Sequence, residues 1–169
     1  MAAATRRMSG TATGTEATGT VPASPTPLPF RIINWIGIID QLVGTQANRL
    51  LRPLDMPLPQ FIMLNHFSHR LTEGKTVMSI ARAMQQPQPG ITKTVQKMLA
   101  KRWLREQANP EDGRSKVLFL TPAGLARHNE AVAIFARELA PAFGGWSPAE
   151  LEQLFAQLDR LKIWLDDNR

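Results

Sequence analysis

The chain contains no cysteine among its 169 residues. This absence excludes disulfide bonds, thiolate metal sites, cysteine nucleophiles and thiol-based redox sensing. The chain also lacks any apolar run approaching the roughly 20 residues needed to span a bilayer. Arg6 and Arg7 are followed by no continuous apolar stretch, so we expect no secretory signal. We therefore expect a cytoplasmic protein without a membrane partner.

Groupings that would indicate catalysis are missing as well. There is no nucleophile–base grouping, no phosphate-binding glycine loop and no recognisable pair of catalytic carboxylates. His66, His69 and Glu73 have a spacing that can hold a metal ion, but such a trio on one exposed helix is more often plain polar surface. We predict a protein that is not an enzyme and that carries no metal or other cofactor.

Positive charge is the most informative feature of the composition. The formal net charge is +6, the sequence pI is about 10.5, and hydrophobic residues make up 43% of the chain. Between residues 88 and 116 there are seven basic residues against three acidic ones. This charge has two explanations, an anionic partner, most commonly nucleic acid, or an ordinary solvated face, and the charge alone does not choose between them.

The order of helical and strand patterns predicts the fold. Residues 1–28 are mostly Ala, Thr, Gly, Ser and Pro, and we expect a disordered tail there. Apolar spacing predicts helices over residues 30–51, 76–84, 88–102 and 122–143, with two more beginning near residues 58 and 148. Short strands are expected at 103–107 and 116–120. For the second helix, the predicted core face consists of Phe61, Ile62, Leu64, Phe67 and Leu71.

These elements indicate a mainly α fold with a small β-wing. A winged helix-turn-helix core is expected at 57–121, flanked by long helices at 29–56 and 122–169. The apolar faces of the first and last helices are too wide for a lone monomer of this size. We therefore expect a homodimer in which the flanking helices pair, all within one domain at 29–169.

A specific motif lies in the predicted hairpin. Asp-x-Arg at 112–114 is followed at a fixed distance by Leu-Thr-x-x-Gly at 120–124. Together with Ile80-Ala81, Ile91-Thr92-Lys93 and the Leu58-Pro59-Gln60-Phe61 start of the second helix, it resembles the DNA-binding core of the MarR family of regulators. With the flanking helices, the resemblance covers most of residues 30–165.

The resemblance implies a role for individual residues. Arg114 would reach from the wing tip into the minor groove of double-stranded DNA, and Asp112 would brace the tip by pairing with it. Side chains of the recognition helix at 88–102 would meet bases and phosphates. The complete set expected at the DNA is Gln88, Thr92, Lys93, Lys97, Asp112, Arg114 and Lys116.

A small-molecule pocket is also implied by the resemblance. Trp35, Phe61 and Phe67 would line it, and its ligand would be a small aromatic compound such as an acid or phenol. The alternative is that these aromatics are plain core, which is the commoner fate of aromatics at helical spacing.

Two positions depart from the family pattern. The recognition helix opens Pro87-Gln88-Pro89-Gly90, which removes two backbone N–H groups that could contact phosphate. Arg102 stands where the family has a glycine, and a left-handed conformation there would cost about 1 kcal/mol. We predict a dimeric, ligand-responsive transcriptional repressor; the alternative is a winged-helix protein-interaction module that has lost DNA binding.

Overall fold

The computed structural model describes residues 26–110 and 112–168. The disordered tail predicted for residues 1–28 therefore lies outside the described residues up to residue 25. The described elements are α1 (Leu28–Leu51), α2 (Leu58–Ser68), α3 (Val77–Ala83), α4 (Gln88–Ala100), β1 (Leu104–Ala108), β2 (Lys116–Leu120), α5 (Pro122–Leu139) and α6 (Pro148–Asp167), with short 3-10 helices at Arg52–Leu54 and Ala140–Phe143. This order confirms the mainly α fold with a small β-wing.

The chain forms two units, one ending at Ile38 and one beginning at Ile39. The described part of the first unit is residues 26–38, which contain the beginning of α1. Most of its large apolar side chains are exposed, among them Phe30, Ile33 and Trp35, whereas Ile36 is half-buried. All further elements belong to the second unit.

The hydrophobic core lies in the second unit, around α2, α3, α4 and the hairpin. Ile80 of α3 and Met98 of α4 are fully buried there, and Leu118 of β2 is nearly so. Trp103 and Leu104 at the start of the hairpin and Ala131 of α5 complete the same cluster. Because helix and hairpin residues share one core, the orientation of the hairpin relative to α4 is fixed by packing.

The predicted core face of α2 was wrong at two residues. Ile62 is 43% exposed and Leu71 is 48% exposed, whereas Gln60 and Met63 are buried. The inward residues recur at three- and four-residue steps that include Met63 and leave Ile62 outside. Leu71 is not part of the helix, since α2 ends at Ser68.

The two strands form an antiparallel hairpin. Leu104 pairs with Leu120, and Ala108 pairs with Lys116 next to the tip. A third short segment joins at Lys75, whose backbone N–H and C=O both bond to Leu118 at 2.9 Å. The hairpin is therefore anchored to the chain segment immediately before α3.

Side chains that cap the helices explain where three of them begin. The Oγ1 of Thr76 accepts the N–H of Ser79 at the start of α3. The Oγ1 of Thr121 accepts the N–H of Gly124 at the start of α5. Ser147 and Glu150 form a capping box at the start of α6, the helix expected to begin near residue 148. Hydrogen bonds from Ser147 hold the pKa of Glu150 below its ordinary value.

The last helix, α6, is amphipathic but remains largely uncovered. None of its 20 residues is buried. Phe155 is 71% exposed and Trp164 is 61% exposed. No helix among the described residues combines the length and the apolar character that crossing a bilayer requires.

Candidate nucleic-acid interface

A groove of about 540 Å³ runs between α3, α4 and the hairpin. It brings together five of the seven side chains predicted to meet DNA. Two come from α4 and three from the hairpin: Gln88, Thr92, Asp112, Arg114 and Lys116. Residues far apart in the sequence therefore line one open surface.

The amphipathic pattern of α4 decides which of its side chains reach the groove. Ile91, Val95 and Met98 are buried and fix the inner face of the helix. Lys93 and Lys97 are exposed, and neither lines the groove. Residues four apart lie on the same helix face, so these two lysines form a second stripe beside the groove stripe.

Hydrogen bonds among its own residues hold the wing tip. The Oδ1 atom of Asp112 accepts the backbone N–H of Arg114 at 3.0 Å. The Nδ2 of Asn109 donates to the Oγ of Ser115 at 2.8 Å, and the backbone N–H of Ser115 donates to the carbonyl of Asp112 at 2.9 Å. The contact between Asp112 and Arg114 therefore runs through the backbone, which leaves the exposed Arg114 side chain available to a partner.

The sequence prediction missed some residues of the groove. Gln96 of α4 lines it, and so do Thr76 and Met78 at the start of α3. The signal for Gln96 was present, since it follows Thr92 by four residues and Gln88 by eight. The contribution of α3 depends on the Lys75–Leu118 bridge, which the local sequence pattern does not predict.

The first turn of α4 offers few backbone donors. Pro87 is its N-cap, without a side-chain capping bond, and Pro89 has no N–H. The N–H groups of Gly90 and Ile91 both point to the carbonyl of Pro87, at 3.1 and 3.4 Å. Contacts to an anion at this helix end must therefore come chiefly from side chains.

Comparison with known proteins identifies this arrangement. A model described as MarR family matches residues 54–115, the stretch that contains α2 to α4, β1 and the wing tip. Residues 54–115 therefore match the MarR family, and the chain has the winged helix fold of MarR-type proteins. The resemblance carried by the wing motif is thereby confirmed.

Solved structures share the fold over most of their length. Wild-type MarR from E. coli in its apo form is 21% identical, with a TM-score of 0.68, covering 82% of this chain and 98% of that chain. MepR from S. aureus, in a complex with DNA, is 22% identical, with a TM-score of 0.65 and coverages of 79% and 97%. A MarR protein from Peptoclostridium difficile is 14% identical, with a TM-score of 0.71 and coverages of 88% and 93%.

The Leu-Thr-x-x-Gly part of the MarR-family motif has a structural explanation. Besides capping α5, the hydroxyl of Thr121 lies 2.7 Å from the carbonyl oxygen of Arg102 and 3.1 Å from that of Trp103. A Cβ atom at Gly124 would lie 2.2 Å from the carbonyl oxygen of Trp103. Only glycine allows the first turn of α5 to approach the end of α4 this closely.

Arg102 adopts the left-handed conformation that its family position suggested, with a φ of 58°. It follows the end of α4 at Ala100, two residues earlier than predicted. Beside it, the Nζ atom of Lys101 contacts Asp55, with 2.8 Å to Oδ2, and Gln60, with 3.2 Å to Oε1. Lys101 also lies over the Trp103 ring, 4.7 Å from its centre. It is therefore a structural link from α4 to the α1–α2 corner.

An apolar cavity of about 470 Å³ lies between Phe61 of α2, α5 and the 3-10 helix that follows α5. Phe61 lines it together with Phe135 and Phe143. The Phe61 ring also stacks on His128, with centres 5.8 Å apart. Of the other two residues predicted for a ligand pocket, Phe67 is buried in the core at 1% exposed and Trp35 lies exposed in the first unit.

The histidines considered for metal binding have other surroundings. Glu73 accepts a bond from Arg70 at 3.1 Å and lies 3.9 Å from Lys75. Burial lowers the pKa of His66, and the charges of Lys75 and His69 act in the same direction. Within residues 26–110 and 112–168, no group of three or more His, Asp or Glu side chains could hold a metal ion.

Proposed function

We propose that this protein is a sequence-specific, dimeric DNA-binding regulator of transcription. The observation that carries the proposal is the groove between α4 and the wing, which unites Gln88, Thr92, Arg114 and Lys116 on one open face. In winged helix proteins a helix enters the major groove while the adjoining hairpin reaches the backbone or the minor groove. MepR, which shares this fold, has been solved in a complex with DNA.

The distribution of charge supports two kinds of contact. Lys93 and Lys97 form an exposed cationic stripe on α4, suited to phosphate oxygens. Arg114 extends from a wing tip that its own hydrogen bonds hold rigid, and arginine is favoured in the negative potential of a narrow minor groove. Because the first turn of α4 offers few free N–H groups, we expect these side chains to supply the main phosphate contacts.

The apolar surface of α6 supports self-association. Phe155, Leu158 and Trp164 are all exposed, and burying each would contribute about 1.5–3 kcal/mol. Ile39 and Leu42 of α1 add further uncovered apolar area, and so do Phe30 and Trp35 in the first unit. We propose that a second copy covers these helices, which would place two recognition helices about one turn of DNA apart.

We also propose that a small ligand regulates DNA binding. The cavity beside Phe61 is lined almost entirely by apolar side chains, as a site for a small aromatic ligand requires. Of the three aromatics predicted for such a pocket, Phe61 carries the proposal because it lines the cavity. We expect binding there to change operator affinity and to relieve repression.

The proposal is tested by titrating short genomic duplexes, including the protein's own promoter, at two salt concentrations. We expect selective binding that weakens steeply with salt, and a loss of about 1–3 kcal/mol for Arg114→Ala. Arg137→Ala is the matched control, because that arginine pairs with Glu138 on α5 and does not line the groove. It should bind like the wild type.

Two results would contradict this function. If every duplex binds no better than random DNA, the protein does not select an operator. If Arg114→Ala and Arg137→Ala also behave alike, the winged helix serves a protein-interaction module instead. Sedimentation of wild type beside Phe155→Asp tests the dimer separately, since the charged variant should sediment as a monomer.

A further inference from the structure

One stripe of α4 carries only uncharged polar side chains at its exposed positions. Gln88, Thr92 and Gln96 are spaced by four residues, and all three line the groove. The two lysines, Lys93 and Lys97, occupy the adjacent stripe. The helix therefore separates side chains that can donate and accept hydrogen bonds in a defined pattern from side chains whose charge suits phosphate.

The amide of Gln96 is free to bind a partner. Gln96 is exposed, and among residues 26–110 and 112–168 its side chain has no hydrogen-bond partner. Thr92 differs, because its hydroxyl donates to the carbonyl of Gln88 at 3.0 Å. An amide side chain offers both a donor and an acceptor, whereas a threonine with its hydrogen engaged offers only acceptor positions and a methyl group.

The chemistry of an amide matches one base in the major groove. Adenine presents its N7 acceptor beside its N6 donor, and glutamine satisfies both at once. Guanine presents two acceptors there and is matched by arginine or lysine. We infer that Gln96 is a specificity-determining residue that selects adenine in each half of the operator. This inference rests on the proposed DNA-binding function.

The spacing along α4 gives Gln96 its own base pair. Eight residues separate it from Gln88, which corresponds to about 12 Å along the helix axis. Successive base pairs are about 3.4 Å apart. Where the helix follows the major groove, this separation spans several base pairs, so we expect Gln96 and Gln88 to contact different ones and a change at Gln96 to affect one position of the operator.

The test is a selection of duplexes from a randomised pool, with the recovered sequences counted at every position. Wild type should enrich adenine at one position in each half-site. Gln96→Ala should reduce that preference about five- to 150-fold while the other positions keep theirs. Gln96→Glu should move the preference toward cytosine, because a carboxylate accepts from the cytosine amino group.

Lys97→Ala is the control, since Lys97 is the exposed neighbour on the phosphate stripe. It should weaken binding to all sequences and keep the base preferences. A selective wild type whose profile is unchanged, or uniformly weakened, in Gln96→Ala overturns the role of Gln96 and leaves the proposed function standing. A wild type that enriches no sequence overturns the proposed function, and the inference with it.

Discussion

The winged helix core and α6 are both built from amphipathic elements, yet only the core covers its apolar face. Phe67 of α2 is 1% exposed, whereas Phe155 of α6 is 71% exposed. Both residues sit in apolar stripes with helical spacing. An apolar stripe therefore predicts that a helix face will be covered, but not whether the covering residues come from the same chain.

The largest expected change in the free energy of unfolding comes from replacing Phe67, and Phe155 is the residue to compare it with. Phe67→Ala should cost about 3–5 kcal/mol, because it leaves a cavity in a closed core. Phe155→Ala removes the same atoms from an open surface, so it should leave the monomer intact and weaken association. Urea unfolding at several protein concentrations measures both effects, since the stability of a dimer depends on concentration.

The pattern of concentration dependence separates the two outcomes. Phe67→Ala should lower the unfolding midpoint at every concentration, whereas Phe155→Ala should lower it chiefly by removing the concentration dependence. Equal and concentration-independent losses in both variants would mean that α6 is covered within its own chain, and the contrast between the two regions would fail.

The predictions from sequence succeeded where local chemistry decides the structure. The strand at 116–120 is found as expected, and the helices expected from residues 122 and 148 begin there, next to the caps at Thr121 and Ser147. Each depends on residues within four positions of one another or on strict strand patterning, so the sequence contains the whole signal.

The errors arose where tertiary contacts decide. Gln60 is buried because Lys101, 41 residues away, donates to its amide oxygen. Ile62 remains exposed because α2 turns a different face to the core. Five of the seven expected DNA residues share the groove, but the contribution of α3 depends on how the hairpin bridges to Lys75. No periodicity contains that information.

The second largest effect is expected at a glycine in tightly packed backbone, compared with a glycine that has free space around it. Gly124→Ala should destabilise the fold by about 3 kcal/mol, because its Cβ would lie 2.2 Å from a backbone oxygen that cannot rotate away. Gly113→Ala at the wing tip is the control, since a Cβ there has no neighbour within 4 Å. In thermal unfolding, Gly124→Ala should lower the Tm strongly and Gly113→Ala should leave it almost unchanged. Similar shifts would mean that α5 moves to accommodate the methyl group.

A substitution at Arg102 should change stability by less and in the opposite direction. Arg102→Gly should stabilise the protein by about 1 kcal/mol, because glycine tolerates the φ of 58°. Ala100→Gly, two residues earlier and still helical, should destabilise it by about the same amount. The urea concentrations at the unfolding midpoints of the two variants and the wild type measure these changes in stability. If both glycines destabilise, the left-handed backbone is not a source of strain in this chain.

The smallest effect concerns the Asp55–Lys101 pair at the surface of the core. The hydrogen bond from Lys101, and then its charge, lower the pKa of Asp55. A lowered folded-state pKa means that the carboxylate stabilises the fold above its unfolded value of 3.8, and that this contribution is lost as the pH falls through the lower folded value. Asp55→Asn removes the charge and suits the left-handed φ of 48°.

A double-mutant cycle of Asp55→Asn and Lys101→Met isolates the pair from the stacking of Lys101 on Trp103. The coupling should be constant near neutral pH and should shrink as the unfolding measurements move below the ordinary aspartate value of 3.8. It should be small throughout, because 90% of the Asp55 side chain is exposed. A coupling energy that grows as the pH falls would mean that the ionised form of Asp55 does not stabilise the fold. A coupling that is absent at neutral pH would mean that the Gln60 amide oxygen and the Asp55 backbone carbonyl, to both of which Lys101 donates, hold the end of α4 in place without the carboxylate.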